Sequence, residues 1–384
     1  MLRSLSDIDR STATNDLRPS ASFSTRKNPR CIPANTPPVF PGLRPRMWTH
    51  LLRLVTNGNA GEAPRVYAML GLLCVLAVAS LQSGCITVNL IEPSGPVHEV
   101  QLSGTGDGKV LLLDLSGVIS SQGKDGLVPQ PNMLAMFKEE LTRASKDDKI
   151  KAVVVRINSP GGTVTASDIL YHELREFKTK RKVPVIASMM DVAASGGYYL
   201  AMAADSILVH PSTVTGSIGV IMLTVNARGL LEKVGVEASA ITSGPRKDMG
   251  SPFRVMTAEE RGIFQSVIDS FYQRFLAVVQ EGRPNLTPDQ IKKLADGRIY
   301  SGDQAKAAGL IDEIGYLDDA VEMAKKKAGL TEARVVTYGR RGEYQNNIYS
   351  RLFGANSGIT GLVNLDVLSM VRGGTPQFMY LWMP

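Results

Sequence analysis

Val192-Ala193-Ala194-Ser195-Gly196-Gly197-Tyr198-Tyr199 is the run on which the reading of this chain turns. Two alanines, a serine and two glycines mark a strand end passing into a helix start, which leaves the serine hydroxyl exposed near the positive pole of the helix dipole. That setting suits a nucleophile. The α/β-hydrolase pattern G-x-S-x-G does not fit, because Ala193 stands two residues before Ser195. Taken alone, the run also fits an N-cap serine in a tight turn, the commoner use of such a residue.

Outward from Ser195 the chain alternates between strand and helix patterns. Val110 to Leu115, Ala152 to Ile157, Val183 to Ala187 and Ser206 to Val209 are short apolar runs of buried-strand character, rich in Val and Ile. Between them, Leu134 to Ala144 and Ser167 to Lys178 carry helical spacing, the second with its stripe of Ala166, Ile169, Leu170, Leu174 and Phe177. Such alternation predicts an α/β domain with a mostly parallel sheet and covering helices. Thr257-Ala258-Glu259-Glu260 is a capping box opening a long helix, whose Phe264, Phe271 and Phe275 belong to an apolar face read as core or subunit packing.

A serine nucleophile needs a base. The four histidines, His50, His98, His172 and His210, have no persuasive setting for one. Lysine is the alternative, provided that its surroundings leave part of the amine neutral. Lys247 lies in Thr242-Ser243-Gly244-Pro245-Arg246-Lys247-Asp248, a loop between the strand-like Val236 to Ile241 and the long helix. A loop lysine beside an arginine is ordinarily a solvated surface charge.

Four ordered motifs change that reading: Asn158-Ser159-Pro160-Gly161-Gly162, the Ser195 run, Thr215-Gly216-Ser217-Ile218-Gly219-Val220, and Ser243-Gly244-Pro245-Arg246-Lys247-Asp248. With Ala295-Asp296-Gly297-Arg298-Ile299-Tyr300-Ser301-Gly302 as a fifth, residues 110–330 resemble the signal peptide peptidase A family, membrane-associated serine peptidases with a Ser-Lys dyad. The resemblance implies a Clp protease/crotonase-like α/β fold of repeated β-β-α units in a superhelix. It also implies Ser195 as nucleophile, Lys247 as general base, and Ser217 as a residue that orients the lysine amine. An acyl transfer needs two backbone donors for the oxyanion. Gly162 and Gly196 are the candidates, since residues without Cβ let the backbone approach a substrate closely. The larger family members are tandem duplications; this chain shows no repeat and resembles the short form, expected to act as a homo-oligomer that encloses its sites. The substrates implied are extended, mainly apolar peptides such as cleaved signal peptides. The alternatives carried beside this reading are an inactive exported scaffold of the same fold and a crotonase-like acyl-CoA enzyme.

Composition bears on compartment. The chain has a net charge of +7, but residues 1–65 hold ten basic against four acidic side chains, and therefore six of the seven charges. The remainder is nearly neutral, which argues against a nucleic-acid partner. The first 65 residues, rich in Ser, Pro, Thr and Asn, are expected to be disordered. Ser24-Thr25-Arg26-Lys27 matches S-x-x-K there by coincidence. Val66 to Leu81 is an apolar run of signal-peptide length, and Ser83-Gly84-Cys85 resembles a lipoprotein processing site at Cys85, with Gln82 departing from the usual aliphatic residue. Residues 66–85 are therefore read as a signal or anchor segment, 86–109 as a linker, and 331–384 as a tail ending in an interface strand or clamp. A membrane tether with the catalytic domain on the extracytoplasmic side follows. Cys31, Cys74 and Cys85 all precede residue 86, so the domain beyond has no thiol nucleophile. No cofactor or metal is expected from the spacing of His, Asp and Glu.

Overall fold

The computed structural model describes residues 97–122, 132–340, 346–350 and 377–383. The chain divides into Met1–Val88 and Asn89–Pro384. The first unit, with the 1–65 extension, the 66–81 apolar run and Cys85, lies outside the described residues. Among the described residues no helix is long and apolar enough to cross a membrane.

The sheet is built from β2 (Lys109–Ser116), β3 (Ile150–Ser159), β5 (Val185–Ala194) and β6 (Ser206–Val209), all parallel. In β2, Leu111, Leu113 and Leu115 enter one apolar cluster while Val110 and Leu112 enter the other, on the opposite face. Both faces are covered, so the strand reads as a continuous apolar run rather than an alternation. One face receives α1 (Met133–Ala144), α2 (Val164–Arg181), α3 (Gly196–Ala201) and α5 (Ala258–Gly282); the other receives α8 (Leu317–Lys327). A short β4 (Gly161–Thr163) follows β3 and leads into α2, giving a β-β-α unit.

Two boundaries differ from the sequence reading. β11 (Arg334–Gly339) pairs parallel with β2, and β1 (His98–Ser103) pairs antiparallel with β11. The folded unit therefore reaches into both the 86–109 linker and the 331–384 tail. The bare edge of β2 is the reason: its unpaired N–H and C=O groups need a neighbour, and β11 supplies one with Val336 and Tyr338 buried. The strand expected over Val236 to Ile241 is absent; those residues are exposed and follow α4 (Arg228–Lys233) as irregular chain.

Candidate active site

Ser195 sits where β5 passes into α3, with φ 52° and ψ −113°, a conformation that non-glycine residues rarely adopt. Its amide donates to the Gly216 carbonyl at 2.7 Å, at the end of β7 (Val214–Gly216), which pairs with β5. The strain is held by that pairing and by the buried Gly197-Tyr198-Tyr199 that follows. Ser195 is 1% exposed and its Oγ has no hydrogen-bond partner among the described residues. An orphaned buried hydroxyl costs about 1–3 kcal/mol. A buried hydroxyl without a partner at a strained turn is a group that packing alone does not account for.

The expected oxyanion donors come together. A Cβ on Gly196 would lie 3.2 Å from the Gly162 nitrogen and 2.4 Å from Ser167 Oγ, so these two loops touch through backbone. At Gly162 a Cβ would stand 1.8 Å from the Ile119 carbonyl oxygen, and Gly161, at φ +100°, is equally closed. Ser159 Oγ accepts from the Gly161 amide at 3.1 Å, and Ser167 Oγ donates to the Thr163 carbonyl at 3.0 Å, which fixes the loop between β3 and α2.

Against this loop lies the end of the chain. β12 (Phe378–Leu381) runs antiparallel between β4 and β8 (Ile221–Met222), with Tyr380 opposite Gly162 and Leu381 opposite Gly161. The position of a Cβ on Gly161 would be 2.0 Å from the Tyr380 carbonyl oxygen and 2.7 Å from the Gly196 nitrogen. The Tyr380 carbonyl and the Gly196 amide thus both crowd the space at Gly161. The Tyr380 ring is wholly buried, stacked on Tyr199 at 5.1 Å and against Phe275 at 4.6 Å, and its hydroxyl donates to the Phe271 carbonyl at 2.8 Å. Two residues back, Phe378 packs edge-on against Phe271 and near Phe264. Burial first, then the bond to Asp168, pushes the Tyr199 phenol well up, so it stays neutral. Phe275 and Tyr380 lie in the main core and Phe271 and Phe378 pack against it, as the apolar face of α5 predicts; that the covering strand is Phe378–Leu381 has no signal in the sequence beyond the alternation of Phe378 and Tyr380.

Lys247 is placed otherwise. It lies exposed in the loop before α5, and no hydrogen bond or ion pair reaches its amine among the described residues. No hydrogen bond joins it to Ser195 within one copy. Ser217 has φ 51° and gives its amide to the Arg298 carbonyl at 2.8 Å; no hydrogen bond joins it to Lys247. No described histidine bonds Ser195 either.

The model of peptidase family S49 matches residues 177–331, which include Ser195 and Lys247, and that of Clp protease matches residues 130–213, which include Gly162 and Ser195. A candidate signal peptide peptidase SppA of Enterococcus faecium is 39% identical over 242 residues, 63% of this chain and 70% of that protein. A candidate protease of Methanocaldococcus jannaschii is 35% identical over 72% of this chain and 86% of its own length. The chloroplastic serine protease SPPA of Arabidopsis thaliana is 34% identical, with 61% of this chain covering 35% of that longer one. With the parallel sheet and its β-β-α unit, the matches give an α/β fold of the Clp protease/crotonase type.

Proposed function

Since the chain belongs to peptidase family S49, the signal peptide peptidase A family, and is a serine peptidase, we propose that it cleaves extended, mainly apolar peptides with Ser195 as nucleophile and Lys247 as general base. The observation that carries this reading is β12, an extended peptide lying antiparallel on β4, with its Tyr380 carbonyl packed at Gly161, which the Gly196 amide also approaches. A substrate strand bound the same way would present its scissile carbonyl to Ser195. The neutral Lys247 amine would take the Ser195 proton as Oγ adds to the carbonyl carbon. Gly162 and Gly196 amides would hold the resulting oxyanion, a contribution of roughly 3–4 kcal/mol per donor. On collapse the C–N bond breaks and Lys247 returns the proton to the leaving amine. Water, deprotonated by the same lysine, then releases the acyl group from Ser195.

In one copy Ser195 is buried and unbonded while Lys247 is exposed and unbonded. We therefore place Lys247 of a neighbouring copy at each Ser195, in a homo-oligomer. Leu230, Val234, Val236, Phe253 and Val255, exposed apolar residues flanking the Lys247 loop, fit burial in that assembly. The 66–81 run and Cys85 would tether the domain to a membrane on its extracytoplasmic side, where signal-peptide remnants are the natural apolar substrates.

Mixing inactive variants tests the arrangement. Ser195→Ala and Lys247→Ala oligomers, dissociated and reassembled together, should regain part of wild-type turnover on a fluorescence-quenched peptide. A mixture as inactive as its components would refute the intersubunit dyad, and full activity of Lys247→Ala alone would refute the lysine.

A further inference from the structure

The loop that carries Lys247 is fastened to α5 chiefly through Arg254. Arg254 Nε and Nη2 donate to the two Asp248 oxygens at 2.6 and 2.8 Å. The same guanidinium reaches Glu260, with Nη1 donating to Oε2 at 2.9 Å and Nη2 to Oε1. Glu260, 4% exposed, is also the acidic member of the capping box, accepting from the Thr257 amide at 2.9 Å. One guanidinium thus joins the residue after Lys247 to the first turn of α5. The second link, Arg246 to Glu259, is between side chains more than half exposed and is worth little. Arg254 is better sheltered, and its planar fork meets two carboxylates at once, a geometry lysine lacks.

We propose that Arg254 is a positioning residue for Lys247: it anchors the loop to α5 and keeps the Asp248 carboxylate engaged away from the lysine amine. This rests on Lys247 being the base. The charged side chains flanking Lys247 in sequence are Arg246 and Asp248 on its own loop, Arg254 beyond it, and Glu259 and Glu260 at the start of α5. Glu259 is taken by Arg246, and Asp248 and Glu260 by Arg254. Arg254 holds both of its carboxyls below their ordinary range, consistent with that engagement. A lysine acts as base only when neutral, and a free carboxylate next to it in sequence would hold its proton on. Loss of Arg254 therefore has two effects. The loop loses its anchor at every pH, and Asp248 becomes available to the amine.

The test is the pH profile of peptide cleavage by the full-length oligomer, with a fluorescence-quenched peptide of the Gln377–Met383 sequence as probe. Arg254→Gln should lower kcat roughly 10- to 100-fold, as expected for a misplaced catalytic group, with KM changed less than twofold. Its rising limb should also move to the alkaline side, because the freed Asp248 carboxylate favours the charged amine. Adding Asp248→Asn to Arg254→Gln should return the limb to its wild-type position while leaving the loss of kcat. Glu260→Gln, which leaves the Asp248 bond in place, should lower kcat without moving the limb. If Arg254→Gln does not assemble, Arg254→Lys serves, with a smaller alkaline shift expected; a wild-type profile for it overturns the proposal. So does Arg254→Gln with wild-type kcat, with an unmoved limb, or with its loss in KM alone. Inactive Lys247→Ala beside an unaffected Arg254→Gln would sink the positioning role and leave the dyad standing; active Lys247→Ala would remove both.

Discussion

At Ser195 the backbone carries the signature of use. A serine at φ 52° is held by the Gly216 carbonyl and by buried neighbours, and its hydroxyl is left without a partner. Ser195→Ala should therefore abolish turnover while leaving the thermal midpoint unchanged or raised, because it removes an unsatisfied buried polar group. A lowered midpoint would mean that Oγ serves packing. Gly162 is constrained by space rather than by φ: any Cβ strikes the Ile119 carbonyl at 1.8 Å. Gly162→Ala must push that loop aside and displace the amide, and kcat should fall by about 100-fold or more, with the loss visible in single-turnover acylation. With a lysine as base, activity should rise with pH and stay high on the alkaline side; a bell with an alkaline fall near neutrality would argue for another base.

The helix α5 shows how one element serves two tasks. Its capping box closes the N-terminus through Thr257 and Glu260, and its Phe264, Phe271 and Phe275 form an aromatic wall against β12. Arg254 and then the Thr257 amide push the Glu260 carboxyl from its ordinary 4.5 down to about 2. A group whose pKa is depressed in the folded state adds stability above its unfolded value and loses it as pH falls through the folded one. The thermal midpoint of the wild type should therefore drop across pH 4.5 to 2 more steeply than that of Glu260→Gln, which keeps the cap but takes up no proton. Equal slopes would mean that Glu260 is not engaged as described. At the opposite extreme, Val236 to Ile241 has strand-like composition but no neighbouring strand to pair with, and stays irregular. Strand propensity expresses a fit to a neighbouring surface, so without one it forms nothing.

On the scale of the molecule, the tail bears on access to the site. β12 lies between β4 and β8, which on the proposed function is the slot a substrate strand would need. Deleting residues 377–384 should raise initial kcat/KM toward added peptides, and Tyr380→Ala should do so partly, by removing the ring from its pocket; unchanged kinetics in both would mean that substrates bind elsewhere. If Cys85 is lipidated, the membrane-bound protein begins there by N-terminal mass analysis, and Cys85→Ser leaves the detergent phase. If residues 66–81 stay as an anchor, Cys85→Ser remains in the membrane with its extension attached. Full-length protein recovered only from the cytosol would refute both.

The sequence by itself determined the sheet and the glycine-rich loops around Ser195, because those signals are local. Apolar runs define β2, β3, β5 and β6, and Gly161-Gly162 and Ser195-Gly196-Gly197 mark turns that only small residues allow. Tertiary structure alone decided the rest. Nothing local in Arg334–Gly339 says that it completes the sheet beside β2, since that depends on an unpaired edge more than 200 residues away. Phe271 and Phe275 read as core and are core, but an amphipathic face does not name its partner; only folding brings Phe378–Leu381 back onto it. The grip of Arg254 on Asp248 and Glu260 was hidden for a related reason: a charged loop reads as solvated until folding directs its side chains onto one guanidinium.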